Sequence, residues 1–231
     1  MKLLATPIGY LLSLIYNVVD NYGFSIIILT LLIRLIMLPL YGKQIKYSAR
    51  MAELQPKLQE IQSRYAHDKE TLNQKTMELY QKEGISPTSG CLPLLIQMPI
   101  ILGLYALLRD PLSYVNTAKM IVAVHESFFW IPDLSQPDAW ILPILAGITT
   151  YFTQAQSSSN DTTGMMSGMK YFFPVMIFAL AKSFPAGLAL YWAIGNGFQV
   201  IQTFFLNKKS KEMKFKREAE EEVKRNMKKS K

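Results

Sequence analysis

Long uncharged stretches constrain this chain more than any other feature. They run 3–19, 84–108, 139–160 and 183–207. A helix crossing bilayer hydrocarbon needs about 20 mostly apolar residues, and three of the four stretches reach that length. Only 18% of the 231 residues are charged, against about 25% in an ordinary soluble domain. The pattern predicts an all-α membrane protein. The single cysteine, Cys91, lies in an apolar run. It excludes an intrachain disulfide framework and reads most simply as an inert buried thiol.

Along the chain, Leu4, Ile8, Leu11, Leu12, Ile15 and Val19 recur at helical spacing. They predict an N-terminal helix over 1–20 lying in the membrane interface. A signal-peptide core after Lys2 is the rival reading, but no A-x-A cleavage pattern follows. A five-span core is expected over 21–206. The first span runs from Tyr22 to Tyr41 and the second from Cys91 to Leu108, with Pro93 and Pro99 inside it. The third is Ala139 to about Gln156, the fourth Met169 to Phe184 and the fifth Pro185 to Leu206.

Between the first two spans, residues 43–84 turn strongly polar. Met51, Leu54, Leu58, Ile61 and Tyr65 follow a heptad-like spacing. Glu53–Lys57, Glu60–Arg64 and Glu78–Lys82 stand at i,i+4 in the favourable orientation. His67-Asp68 suits a turn, and Gly84 with Pro87 a stop. The segment predicts an antiparallel helical hairpin in water. Residues 109–138 and 157–168 read as loops, the first rich in interface-type aromatics such as Phe128, Phe129 and Trp130. A basic tail without apolar periodicity fills 207–231.

Charge sets the expected orientation. The hairpin and tail carry eight and eleven Lys/Arg, whereas the opposite side holds four. The excess of cations marks the cytoplasmic side. A multi-pass cell-membrane protein with its N-terminus outside and its C-terminus in the cytoplasm follows.

Arg34 is the most informative single residue. A charge within a span costs about 2.5–3.5 kcal/mol on insertion scales, and no span contains an Asp or Glu to neutralise it. With a rise of about 1.5 Å per residue, Arg34, Gln97 and Gln199 each fall about 9–10 Å from the cytoplasmic end of their spans. Asn196, Gln199 and Thr203 share one face of the fifth span, and Thr150 and Gln154 lie on the inner half of the third. Taken singly, Thr150, Asn196 or Thr203 reads best as interhelical glue. Arg34 argues for a hydrated pocket open to the cytoplasm. Such a pocket shortens the apolar distance that a hydrophilic segment must cross, and short third and fourth spans would thin the bilayer further.

Enzyme chemistry finds no support. His67 and His125 are the only histidines, and both fall in water-exposed segments. No G-x-S-x-G or H-E-x-x-H motif occurs, and no span carries a carboxylate pair. No catalytic residue, metal site or cofactor is expected. A channel or small-molecule transporter stays open as a rival, although no inverted repeat is visible. A ribosome-binding membrane anchor is a third reading. The tail can be solvated, contact anionic lipid or bind ribosomal RNA through its phosphates.

Several stretches resemble the YidC/Oxa/Alb membrane insertase family, in its short Gram-positive-type form. They are TLLIRLIMLPLYGKQIKYSARM around Arg34, ELQPKLQEIQSRY at 53–65 and GCLPLLIQMPIILGLYALLR at 90–109. MKYFFPVMIFALAKSFPAGLALYWAIGNGFQVIQTFFL at 169–206 resembles the family's last two spans. The second of these four holds a family-typical run, and the third an LP-x-L-x-Q-x-P signature that carries Gln97. The resemblance implies a groove around Arg34 open to the cytoplasm and inner leaflet. It implies insertion of nascent membrane proteins without ATP hydrolysis, and a mobile hairpin. The implied partners are the ribosome, the Sec translocon, the signal recognition particle receptor and the lipid bilayer, with no small-molecule substrate. Two departures stand out. No lipobox cysteine appears near the start, and Gln202-Thr203 stands where relatives often carry two adjacent glutamines.

Overall fold

A computed structural model describes residues 2–84, 92–110, 113–114, 118–157 and 164–229. Cys91 and residues 158–163 of the expected 157–168 loop lie outside these residues, and 164–168 of that loop are the first residues of a helix. The described chain is helical apart from turns and one isolated bridge between Phe128 and Ile131. The helices are α1 (Lys2–Val19), α2 (Tyr22–Ile36), α3 (Leu38–Arg64), α4 (Lys69–Lys82), α5 (Leu92–Arg109), α6 (Ala118–Ala123), α7 (Ile141–Ser157), α8 (Gly164–Ala181) and α9 (Ala186–Lys229).

Helix starts follow local chemistry. The Asn21 side chain accepts a hydrogen bond from the Phe24 N–H and opens α2. Asp68 accepts from the N–H groups of Glu70 and Thr71 and opens α4. Asp138 accepts from the Leu142 N–H at 2.7 Å at the head of α7, where a carboxylate also complements the helix dipole. The first amides of α9 bond to a loop instead: Ala186 donates to the Gln136 carbonyl and Gly187 to that of Leu134. This ties the α6–α7 loop to the α9 N-terminus.

The expected first span differs from the structure. The helix breaks at Met37, and α3 begins at Leu38. Pro39 has no N–H to donate to the Leu35 carbonyl, and it restricts the residue before it, so the α2 ladder cannot continue. Among the described residues no single helix is by itself long and apolar enough to cross a membrane. Helix α2 and Leu38–Met51 reach that length and composition together, bent by 56°. The tail also differs from expectation, since α9 runs on as helix to Lys229. Its 44 residues correspond to about 66 Å of axis.

The hairpin forms as α3 and α4, with its turn at 65–68. Leu54 and Leu58 are buried against Met51 and Leu79. Of the expected i,i+4 pairs, Glu60–Arg64 forms at 3.3 Å. Lys57 instead reaches Glu83 at 2.7 Å across the hairpin, and Glu78 pairs with Lys75. The bond from Lys57 holds the Glu83 carboxyl below its usual range.

The main core lies where α2, α5 and α9 meet, around Ile26, Leu29, Leu104, Leu108, Leu188 and Tyr191. Outward faces of α7, α8 and α9 leave Ile148, Phe152, Phe172, Val175, Phe204 and Phe205 exposed. Contiguous apolar surface of this kind belongs against lipid or another protein rather than water.

Candidate functional site

Arg34 sits in the last turn of α2, just before the break at Met37. The break turns α3 so that Tyr41 faces back toward it. Nη1 of Arg34 donates to the Tyr41 hydroxyl at 2.5 Å and to Gln199 Oε1 at 2.9 Å. The guanidinium carbon also lies 5.5 Å from the centre of the Tyr41 ring. No carboxylate pairs with Arg34 among the described residues, so the cation rests on neutral oxygens and a π face.

Gly195 on α9 makes this approach possible. A Cβ built there would stand 2.7 Å from Arg34 Nη2 and 3.1 Å from Nε. Only a residue without a side chain lets the guanidinium lie against the helix.

The arrangement differs from the expected open pocket in one respect. Arg34 is only 3% exposed, roofed by Tyr41 and Gln199. Yet its polar atoms are not all satisfied. Nε of Arg34, Oε1 of Gln156 and both amide atoms of Gln202 are buried with no hydrogen-bond partner among the described residues. A buried polar group left unpaired costs about 1–3 kcal/mol. These orphans call for water or a visiting polar group.

The other expected site residues divide between neighbours. Asn196 does not face Arg34. Its Nδ2 donates to Thr150 Oγ1 at 2.9 Å, and Trp192 Nε1 donates to the same oxygen at 2.9 Å. Thr150 in turn donates to the Ala146 carbonyl at 2.6 Å. This network joins α7 to α9, which is the glue arrangement. Replacing Thr150 by valine strands two donors at once, so a loss of about 2 kcal/mol is expected. Thr150→Ser keeps the oxygen and should melt near the wild-type temperature in detergent.

Gln97 donates from Nε2 to the Tyr191 hydroxyl at 2.7 Å. Tyr191 stands eight residues before Gln199, about 12 Å along α9. The guanidinium itself, however, lies against Gly195, one turn from Tyr191, and Tyr191 is within electrostatic reach of Arg34 and Tyr41, so Gln97 meets the Arg34 cluster through the Tyr191 hydroxyl. Although they share a face of α9, Asn196 turns to α7 and Gln199 to α2. Gln154 is half-buried on α7.

With this geometry in place, the comparisons are decisive. The family described as 60Kd inner membrane protein matches residues 14–214. This chain belongs to that family. A membrane protein insertase YidC of Oceanobacillus iheyensis is 44% identical over 216 residues, covering 87% of this chain and 81% of its own. The insertase MisCA of Bacillus subtilis is 40% identical over 214 residues, covering 89% and 78%. The YidC of Fusobacterium nucleatum is 39% identical over 209 residues, covering 90% and 97%. A crystal structure of an active YidC insertase with its first transmembrane domain resolved is similar at a TM-score of 0.67 and 26% identity. That likeness covers 87% of this chain and 45% of the solved one, so the chain spans less than half of that structure.

In this insertase family member, two groups around Arg34 and a third further along α9 escaped the sequence reading. Tyr41 marked the end of the expected span and was not read as a ligand to the arginine. Gly195 carried no periodic signal. Gln202, noted only as half of a missing glutamine pair, is 7% exposed with both amide atoms unpartnered. An amide one turn beyond Gln199 in an otherwise apolar helix was the available clue.

A second cluster also went unread. Glu126, in the loop after α6, accepts hydrogen bonds from the Tyr16 hydroxyl and from the Tyr22 N–H. It joins α1, the head of α2 and the loop. His125 Nδ1 lies 3.0 Å from Asp133 Oδ2 and 3.0 Å from Ser135 Oγ. Burial pushes the Asp133 carboxyl up, but bonds from Ser135 and His125 outweigh this and hold it below its usual range. A lowered carboxyl stabilises above its unfolded value, so this staple weakens only as pH falls below about 4.

Proposed function

We infer that this protein is a membrane protein insertase whose working centre is the Arg34 cluster. The carrying observation is a buried guanidinium held, among the described residues, by neutral oxygens, with the orphaned side-chain amide of Gln202 one turn beyond Gln199 on α9. Water, or the polar and acidic groups of a hydrophilic segment passing from the cytoplasm, would satisfy these atoms. Tyr41 and Gln199 hold the cation in the resting state. Their release presents it to the passing chain at mid-depth, where a charge is attractive because the surroundings are poor in water. The substrate's apolar segment then leaves along the exposed faces of α7 and α9 into lipid.

On this reading α2 with the start of α3, α5, α7, α8 and the first half of α9 are the five spans, and α1 lies in the interface. The Lys/Arg excess of hairpin and tail supports a cytoplasmic location for both and an external N-terminus. Newly made membrane proteins are the substrates. The ribosome, the Sec translocon and the signal recognition particle receptor are the proposed partners. The long basic helix of α9 is suited to ribosomal phosphate.

The test combines accessibility with activity. Gln202→Cys and Gln199→Cys are made in a Cys91→Ser background, with Leu29→Cys as a buried apolar control. A membrane-impermeant thiol reagent added from the hairpin side should label the first two and spare the control. Purified wild type in liposomes should insert a small single-span protein. Protection of both glutamine positions, or saturable solute flux without insertion, would sink the reading.

A further inference from the structure

At the end of the bundle away from the hairpin, a cleft of about 470 Å³ opens between the end of α5, the loop after α6 and the turn from α8 into α9. One wall is apolar, formed by Leu108, Ile121 and Val124. The facing groups are polar: Arg109, His125, Ser135, Gln136 and Ser183. A cleft of this volume suits a small ligand. The insertion reading makes no use of it.

Its lining contains the Arg109 guanidinium. Arg109 Nη1 donates to the Tyr105 hydroxyl at 2.8 Å, and the guanidinium carbon sits 5.8 Å from that ring centre. No carboxylate pairs with Arg109 among the described residues. The nearby carboxylates bond to other groups. Asp110 takes the Ser113 hydroxyl at 2.5 Å, and Asp133 binds Ser135 and His125. Pro185, just before α9, also lines the cleft. Lys182 lies next to it, 3.8 Å above the Trp140 ring.

The surroundings identify the level in the membrane. Phe129, Trp130 and Trp140 are all exposed on this end. Aromatic residues of this kind collect where headgroups meet hydrocarbon. A forked cation beside serine hydroxyls, backed by an apolar wall, is matched by a phosphate esterified to an acyl glycerol. The guanidinium fork grips the phosphate oxygens, and the apolar wall takes the glycerol and first chain carbons.

We propose that this cleft binds the phosphodiester headgroup of an anionic phospholipid, with Arg109 as its principal ligand and Ser183 as a second. A bound lipid bridges α5 to the α8–α9 turn and fixes that end of the bundle in its leaflet.

The purified full chain in detergent is titrated with phosphatidylglycerol, with phosphate-free diacylglycerol and with inorganic phosphate, and retention is read by native mass spectrometry. Phosphatidylglycerol should be retained and diacylglycerol not. Arg109→Gln should weaken retention about tenfold. Arg109→Lys should fall between, and Ser183→Ala should lose a few-fold. Lys119→Gln, an exposed cation outside the cleft, should match wild type. Equal retention by wild type and Arg109→Gln would overturn the site. If Arg109→Gln does not fold, unchanged retention by both Arg109→Lys and Ser183→Ala has the same force. Binding of inorganic phosphate without phosphatidylglycerol would overturn the lipid assignment.

Discussion

Replacing Arg34 by methionine is expected to slow insertion at least about tenfold, equivalent to about 1.4 kcal/mol of lost stabilisation, while the protein melts at or above its wild-type temperature. The two effects go opposite ways for one reason. In the resting fold the guanidinium is a buried cation with no acidic partner among the described residues; Tyr41 and Gln199 take Nη1, and Nε is left unpaired. Removing a buried charge and filling its volume with an apolar chain is often neutral or stabilising. For a passing hydrophilic segment, the same change removes the mid-depth cation. A residue kept for folding would behave differently, with stability and activity falling together. Arg34→Lys keeps the charge but has no planar fork to serve two oxygens at once, so it should insert at an intermediate rate. Gly195→Ala offers an independent check. Its Cβ would crowd Nη2 and Nε and push the guanidinium off Gln199, so insertion should fall with every polar group still present. Rates for all three come from reconstituted liposomes, and unfolding temperatures from detergent. Wild-type insertion by Arg34→Met would remove the guanidinium from the mechanism.

The expected helices appear because apolar runs of this length leave the backbone no other way to satisfy its hydrogen bonds in lipid. The Arg34–Gln199 meeting was readable for a similar reason, since helix rise converts sequence position into depth. For Gln97 that arithmetic does not give the partner, because depth says nothing about which way a side chain turns. Tyr191 offered a hydroxyl at 2.7 Å and took it. Asn196 shows the same limit, pointing to α7 although it shares a helical face with Gln199. The break at Met37 was written in Pro39 but hidden by a hydropathy that continues across it. The helical tail was hidden for the opposite reason. Lys and Glu are good helix formers that leave no apolar stripe to detect. The Glu126 cluster could not be found by periodicity at all. Its partners stand 110 and 104 residues away, and a loop glutamate ordinarily reads as a solvated one.

That cluster carries the largest expected effect on stability. Glu126→Ala should cost about 3 kcal/mol, because it removes two hydrogen bonds to a charged acceptor and leaves the amide of fully buried Tyr22 unpaired. For a chain of this size the loss corresponds to a fall of roughly 6–12 °C in melting temperature. The carboxylate also stands at the head of α2, where negative charge is favoured. Glu126→Gln keeps an acceptor oxygen without the charge, so its loss should be about half. Nearby packing leaves little room to relax: a Cβ built on Gly23 would enter the Phe128 ring, whose neighbours Phe24 and Phe129 already meet it edge-on. The network also has a signature in pH. The Tyr16 hydroxyl is pushed up from its ordinary 10.0 to about 12, chiefly by its hydrogen bond to Glu126. A group whose value is raised on folding stabilises fully below its unfolded value, and the contribution disappears as pH climbs through the folded one. Wild type should therefore lose stability between about pH 10 and 12. Tyr16→Phe should be less stable at neutral pH and should lack that alkaline component. If Glu126→Ala melts within about 2 °C of wild type, the three segments must be held together by packing alone, and Glu126 would not be their tie.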